Sequence, residues 1–180
     1  TQLIGPFAAM VIVAVIVSLT TERFLNPGNL SNLSLQVSIV ALIAIGSTIV
    51  IFAAGIDLSS GSMVALLTMI LAQFLKFMGV PLSLAVPMIL IVGGVLGLFI
   101  GIITAYGRIP SFITTLAGLI AFRGMALTFN NGSPIFSLDP ALEPIFYGKL
   151  AGVPLPFFYL VFFYALAAFA LSLIHISEPT

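Results

Sequence analysis

The sequence is defined first by what it has little of. It contains no cysteine, one histidine, and only five basic and five acidic residues in 180. Without cysteine there is no disulfide and no thiolate metal site. One histidine removes the His-pair metal motifs and most general-base arrangements, and no GxxxxGK[ST] phosphate loop is present. The net charge is zero and no basic run exists, so the electrostatic footprint of a nucleic-acid binder is missing. No enzymatic centre, cofactor or metal is expected, and no nucleic-acid partner.

The scarcity of charge also fixes the solvent. Charged residues make up 6% of the chain and hydrophobic ones 61%, against about 25% charged in an ordinary soluble domain. Mean hydropathy is +1.33. A bilayer is the one solvent that suits this composition, and the fold expected is an all-α, multi-pass membrane protein. A helix crossing a hydrocarbon core of about 30 Å needs about 20 apolar residues. By that measure the chain reads as six spans, at about 3–20, 35–54, 61–78, 84–106, 111–129 and from about 156 onward. Between the first two lies "TTERFLNPGNLSN", read as a loop or interfacial segment with Pro27 and Gly28 as breakers. Residues 130–156, with five prolines, form the longest polar connection, and loops of that length are usually functional or interfacial. Charge bias gives no firm orientation: Arg23, Lys76 and Lys149 fall on one side and Arg108 on the other.

Within the spans a few positions stand out. Gly93, Gly97 and Gly101 recur every fourth residue on span four, a small-xxx-small face suited to close helix packing in lipid. Asp57 is the only acid between Arg23 and Asp139 and lies in "AAGIDLSSGSMVAL". A charge at the bilayer centre costs about 2.5–3.5 kcal/mol on insertion scales, so a compensating environment is required. Gly55 permits a helix break, and Asp57, Ser59, Ser60 and Ser62 supply capping groups for the next helix, whose dipole favours the carboxylate. Two readings stay open: a capped helix start, or a discontinuous helix lining a polar pathway, because irregular backbone at membrane depth survives only against protein or water. Arg123 lies inside span five, where it either snorkels toward the surface past Asn130 or serves packing or a polar cavity. Asn130, Asn131, Gly132 and Ser133 are a strong turn signal.

Two stretches together resemble a known family. "AAGIDLSSGSMVAL" is similar to the GIDLS-x-GS signature of permease subunits of bacterial monosaccharide ABC importers of the ribose/xylose/arabinose class. "GRIPSFITTLAGLIAFRGMALTFNNGSPI" resembles the same proteins' R-[IV]-x-x-F-I-x-T-L…R-G…T-N-G-S-P segment, and "FLNPGNLSNL" fits their first extramembrane loop. Asn130 departs from the Thr usual before NGSP. The resemblance implies a C-terminally truncated permease, with about six of about ten bilayer-length helices present. It implies a bacterial inner-membrane location and a pair of permease copies. A cytoplasmic ATP-binding cassette subunit and a periplasmic sugar-binding protein are the further partners implied. It places the N-terminus in the cytoplasm, the 130–156 loop toward the binding protein, and the Asp57 motif on or near the translocation path. The groups able to match sugar hydroxyls are Asp57, Ser59, Ser60, Ser62 and Asn130. An ion-coupled secondary carrier and a non-transporting membrane scaffold are the rival classes; with only Asp57 and Arg123 ionisable inside the spans, the carrier has little support.

The last ten residues, "LSLIHISEPT", resemble the translation of a common sequencing-library adapter. Residues 1–170 are therefore read as the N-terminal part of a permease domain and 171–180 as a non-native tail, which strips His175 of functional weight. The alternative is a natural end to span six with His175 at the interface.

Overall fold

The fold is described here from a computed structural model, which defines residues 4–136 and 140–176. Helices dominate. α1 is Ile4–Thr20 and α2 is Pro27–Phe52; α3, Ser60–Ala72, continues into a π turn at Gln73–Phe77. α4 is Leu82–Tyr106 and α5 is Ser111–Thr128, followed by a 3-10 turn at Phe129–Gly132. After a second 3-10 turn at Pro140–Leu142 come α6 (Glu143–Tyr147), a two-stranded hairpin of β1 (Lys149–Leu150) and β2 (Val153–Pro154), and α7 (Leu155–Ile176). The hairpin is antiparallel, pairing Lys149 with Pro154 and Leu150 with Val153.

Four stretches are long and apolar enough to cross a bilayer: Pro27–Phe52, Ser60–Phe77, Leu82–Tyr106 and Ser111–Gly132. Ile4–Thr20 and Leu155–Phe169 are apolar but shorter. The chain is thus an all-α, multi-pass membrane protein. One boundary differs from the reading of the sequence. Pro27 and Gly28 do not break the chain ahead of span two; they open it, and α2 starts about eight residues earlier than its apolar pattern. Proline at the first helical position loses no hydrogen bond and arrives with a helical φ. Asn26 caps it, its side-chain oxygen accepting from Gly28 N at 2.9 Å. α7 runs through residue 171 to Ile176, so the expected tail begins within a helix, while 177–180 lie outside the described residues.

With no water in the hydrocarbon, hydroxyls on these helices must find partners within the protein. They donate back one turn: Ser18 to Ala14 O, Ser34 to Leu30 O, Ser38 to Ser34 O, Thr48 to Ala44 O and Thr104 to Ile100 O. Polar side chains therefore ride in apolar helices at little cost.

The tightest packing joins α3 to α5, with α4 against both, while α2 pairs with α7. α1 buries none of its residues. α3 and α5 run parallel: Ile56 and Ser59 lie beside Ser111–Gly118 at one end, and Lys76 reaches Phe136 at the other. The core of this seam is Leu66, 2% exposed, with Phe122 and Ala126, flanked by Met63, Met69, Ile70, Leu96, Ile100 and Phe129. Gly118 makes the approach possible. A Cβ there would sit 3.0 Å from Ile100 Cδ1 and 3.2 Å from Ser59 Cβ. Close backbone approach of this kind replaces the hydrophobic effect as the force joining helices in lipid. Gly118→Val is expected to lower thermal stability by about 1–3 kcal/mol through overpacking, whereas Gly97→Ala, with nothing within 4 Å of its added Cβ, is expected to keep or slightly raise it. Unfolding midpoints in detergent test this; equal midpoints for wild type and Gly118→Val would contradict so close a seam.

Candidate functional site

α2 ends at Phe52 and α3 begins at Ser60, leaving 53–59 non-helical between two membrane helices. The first half of the break bonds back to α2. Ala53 N donates to Ile49 O, Ala54 N to Ile51 O and Gly55 N to Val50 O, at 2.9–3.2 Å. Ala54 takes a left-handed φ of 58°. At Gly55 a Cβ would lie 3.0 Å from Val50 Cγ1 and 3.3 Å from Val50 O, so the chain turns where only glycine fits without displacement.

The second half bonds to α5. Ile56 N donates to Ser111 Oγ at 3.0 Å, and Thr115 Oγ1 shares its proton between Ser111 O at 2.8 Å and Ile56 O at 3.1 Å. Asp57 then closes the turn: its Oδ1 accepts from Ser59 N at 2.8 Å and from Ser59 Oγ at 2.7 Å. Ser62 Oγ donates to Ser59 O at 2.8 Å. Ser59 is the N-cap residue of α3 and is 1% exposed, while Asp57 is half-buried. Among the described residues no buried side-chain nitrogen or oxygen lacks a partner. Because Ser59 lies against Gly118, seven residues into α5, the break sits about 10 Å along that helix at 1.5 Å per residue.

A cavity of about 400 Å³ adjoins the break. Asp57 and Ser59 line it together with Gly97, Gly101 and Thr104 of α4 and Ser111 and Thr115 of α5. Of the three α4 glycines spaced four apart, Gly93 meets a neighbouring helix, with Leu67 Cδ1 3.0 Å from where its Cβ would be. Gly97 and Gly101 face the cavity, with no atom within 4 Å.

A second cavity, about 360 Å³, lies on the other side of the α3–α5 seam and takes no residue from α2 or α4. Gly61, Ser62, Ala65 and Thr68 of α3 line one wall, and Arg123 of α5 with Ser133 and Pro134 the other. Arg123 is exposed and makes no hydrogen bond or ion pair among the described residues. Ser60, the first residue of α3, is half-buried and lines neither cavity. Asn130 is occupied with its own turn: at φ 48° its Nδ2 donates to Ser133 O at 3.2 Å and Pro134 O at 3.4 Å. The turn is tied to α3 by Lys76 Nζ, which donates to Phe136 O at 2.5 Å.

Reading the sequence for isolated charges misses Ser111, Thr115, Gly118 and Thr68. Their signal is periodicity: Ser111, Thr115 and Gly118 fall at i, i+4 and i+7 on one face of α5, the face that meets the break.

The family model described as "Branched-chain amino acid transport system / permease component" matches residues 29–177. The chain belongs to this permease family. Relatives of this permease include the ribose import permease protein RbsC of Haemophilus influenzae, 36% identical over 170 residues, covering 92% of this chain and 52% of the relative. The xylose transport system permease protein XylH of Escherichia coli (strain K12) is 37% identical over 145 residues, covering 80% of this chain and 37% of the relative. RbsC of Bacillus subtilis is 37% identical over 157 residues, covering 86% and 48%. The permease chain thus spans about half the length, or less, of these curated relatives. No solved structure matches it.

The two stretches that resembled the family separately are bonded to each other here, Ile56 to Ser111 and Thr115. Asp57→Ala removes the turn's acceptor and is expected to cost about 0.5–2 kcal/mol, as other lost caps do. Thr115→Val removes the hydrogen bond to the Ile56 carbonyl and is expected to cost about 0.5–1.5 kcal/mol. Asp57→Asn keeps an Oδ1 acceptor and should unfold near wild type. Thermal unfolding of the three variants checks this; Asn as damaging as Ala would mean that the charge, rather than the turn, is what the position supplies.

Proposed function

We propose that this chain is part of the transmembrane permease of an ATP-driven importer and helps to form the pathway for a monosaccharide. The observation that carries the reading is the 36–37% identity, over most of the chain, to permeases named for ribose and xylose. It favours a sugar over the branched-chain amino acid of the family's description. In this reading a cytoplasmic ATP-binding cassette subunit hydrolyses the nucleotide, and a periplasmic binding protein delivers the sugar. A second permease copy completes the pathway in a bacterial inner membrane. This chain contributes two alternating arrangements, whose populations ATP binding shifts through differential contacts with the cassette subunit. Gly55, Asp57, Ser59, Ser60 and Ser62 act as the shaped break between two helix pairs, and Arg123 serves the pathway.

The experiment uses the full-length permease with the ATPase and binding protein encoded beside it. Asp57→Ala is expected to reduce ATP-dependent sugar uptake several-fold at near-normal membrane levels. Unchanged uptake by that variant would sink the role given to the break. Uptake that survives deletion of the cassette gene would replace an ATP-driven importer with a self-powered carrier.

A further inference from the structure

The two cavities flank one helix pair yet differ in what they have left to offer. Beside the break, Asp57 Oδ1 accepts from Ser59 N and Oγ, Ser111 Oγ accepts from Ile56 N, and Thr115 Oγ1 donates to Ser111 O and Ile56 O, so these atoms shape the turn. The Arg123 cavity adds a cation that is unpartnered among the described residues. Thr68 Oγ1 donates to Ala65 O at 2.9 Å and Ser62 Oγ to Ser59 O at 2.8 Å. Both hydroxyl protons point inward along α3, so their oxygen lone pairs remain as acceptors. Opposite them stands a guanidinium with five N–H donors and no partner among the described residues. Donors face acceptors across a space of about 360 Å³, within the size range of small-ligand pockets.

This groove does not suit lipid. Arg123 lies five residues before the end of α5, about 8 Å inside it, where a guanidinium either reaches the interface or faces water or a polar partner, and in each case not lipid tails. Other outward faces are apolar, as Leu90 of α4 shows at 70% exposure. The lining also selects among ligands. An amino acid would bring an ammonium that needs a negative partner, and no acidic residue lines the groove. A neutral polyol needs only what is there: adjacent hydroxyls that accept from the guanidinium fork while donating to Ser62 and Thr68.

We propose that the open α3–α5 face between Arg123 and the Ser62–Thr68 wall is a sugar-binding station on the translocation path. This rests on the sugar-importer reading above.

Because the chain has no native cysteine, Ala65→Cys and Leu90→Cys would each introduce a single thiol into its part of the permease; any cysteine elsewhere in the full-length protein is first replaced. In proteoliposomes holding the whole transporter with its binding protein and ATP, a membrane-impermeant thiol reagent should label Ala65→Cys several-fold faster than Leu90→Cys. Ribose, xylose or arabinose, whichever the wild type imports, should slow that labelling, and leucine should not. Arg123→Gln should raise the half-saturating sugar concentration roughly tenfold or more, with ATPase stimulation by the binding protein retained. Thr68→Val should shift it in the same direction and guards against a misfolded Arg123 variant. Equal labelling of the two thiols overturns the water-facing groove. Labelling that is indifferent to an imported sugar, or slowed by leucine, overturns sugar as its occupant. A wild-type transporter that hydrolyses ATP but imports none of the three sugars fails the functional reading itself, and the station with it.

Discussion

The structure depends on one constraint: a backbone that leaves the helix inside a membrane must have its amides and carbonyls satisfied by protein. Seven residues, 53–59, are non-helical between α2 and α3. The amides of Ala53, Ala54 and Gly55 bond to three carbonyls of α2, the Ile56 backbone to two hydroxyls of α5, and the amide of Ser59 to the Asp57 carboxylate. Each is placed by a helix that is itself regular, so the irregular segment is held by what surrounds it. The placement of Asp57 follows from this. Its carboxylate is the short acceptor that lets the amide of Ser59 turn into α3, and the same oxygen takes the Ser59 hydroxyl.

The constraint also explains why polar residues gather on α3 and α5. α1 and α4 bury one residue between them and present mostly bulky apolar side chains outward, as lipid-facing helices do. α5 buries two threonines, a glycine, a phenylalanine and an alanine, and α3 a serine, a leucine and an alanine. Small and hydroxylated residues allow the backbones to approach while each hydroxyl is absorbed by a carbonyl one turn back. The pair can therefore carry an arginine on its open side without weakening the seam, because Leu66, Phe122 and Ala126 fill the interior between them.

Much of this was legible in the residues. Composition gave the bilayer, and apolar run lengths gave the helices within a few residues, except at Pro27, where a local capping pattern outweighed hydropathy. The break at 53–59 was legible because Gly55, Asp57 and Ser59 are each costly in a span and cheap in a turn. Its partners were not: Ser111 and Thr115 look like any hydroxyls in an apolar helix, and only the three-dimensional pairing of Ile56 with α5 gives them a purpose. The glycines of α4 carried one pattern and two uses. Gly93 admits Leu67, whereas Gly97 and Gly101 leave space beside the break, a difference set by which neighbour stands opposite and invisible in the spacing.

The hydrogen bonds of the break divide it at one peptide. Residues 53–55 are bonded to α2, and residues 56–59 are bonded to α5 and to the start of α3. α2 itself packs chiefly against α7, and α3 against α5. The chain thus passes from one helix pair to the other at Gly55–Ile56, and a change of angle between the pairs at this crossing falls on the dihedrals there. Glycine on the upstream side tolerates such a change at low strain. On the downstream side, Ser111 and Thr115 keep the Ile56 backbone fixed to α5, and Lys76 ties the far end of the pair to the turn after α5. Rotation at the crossing would therefore carry α3 and α5 together and leave the Arg123 groove between them intact, as the proposed pathway would require.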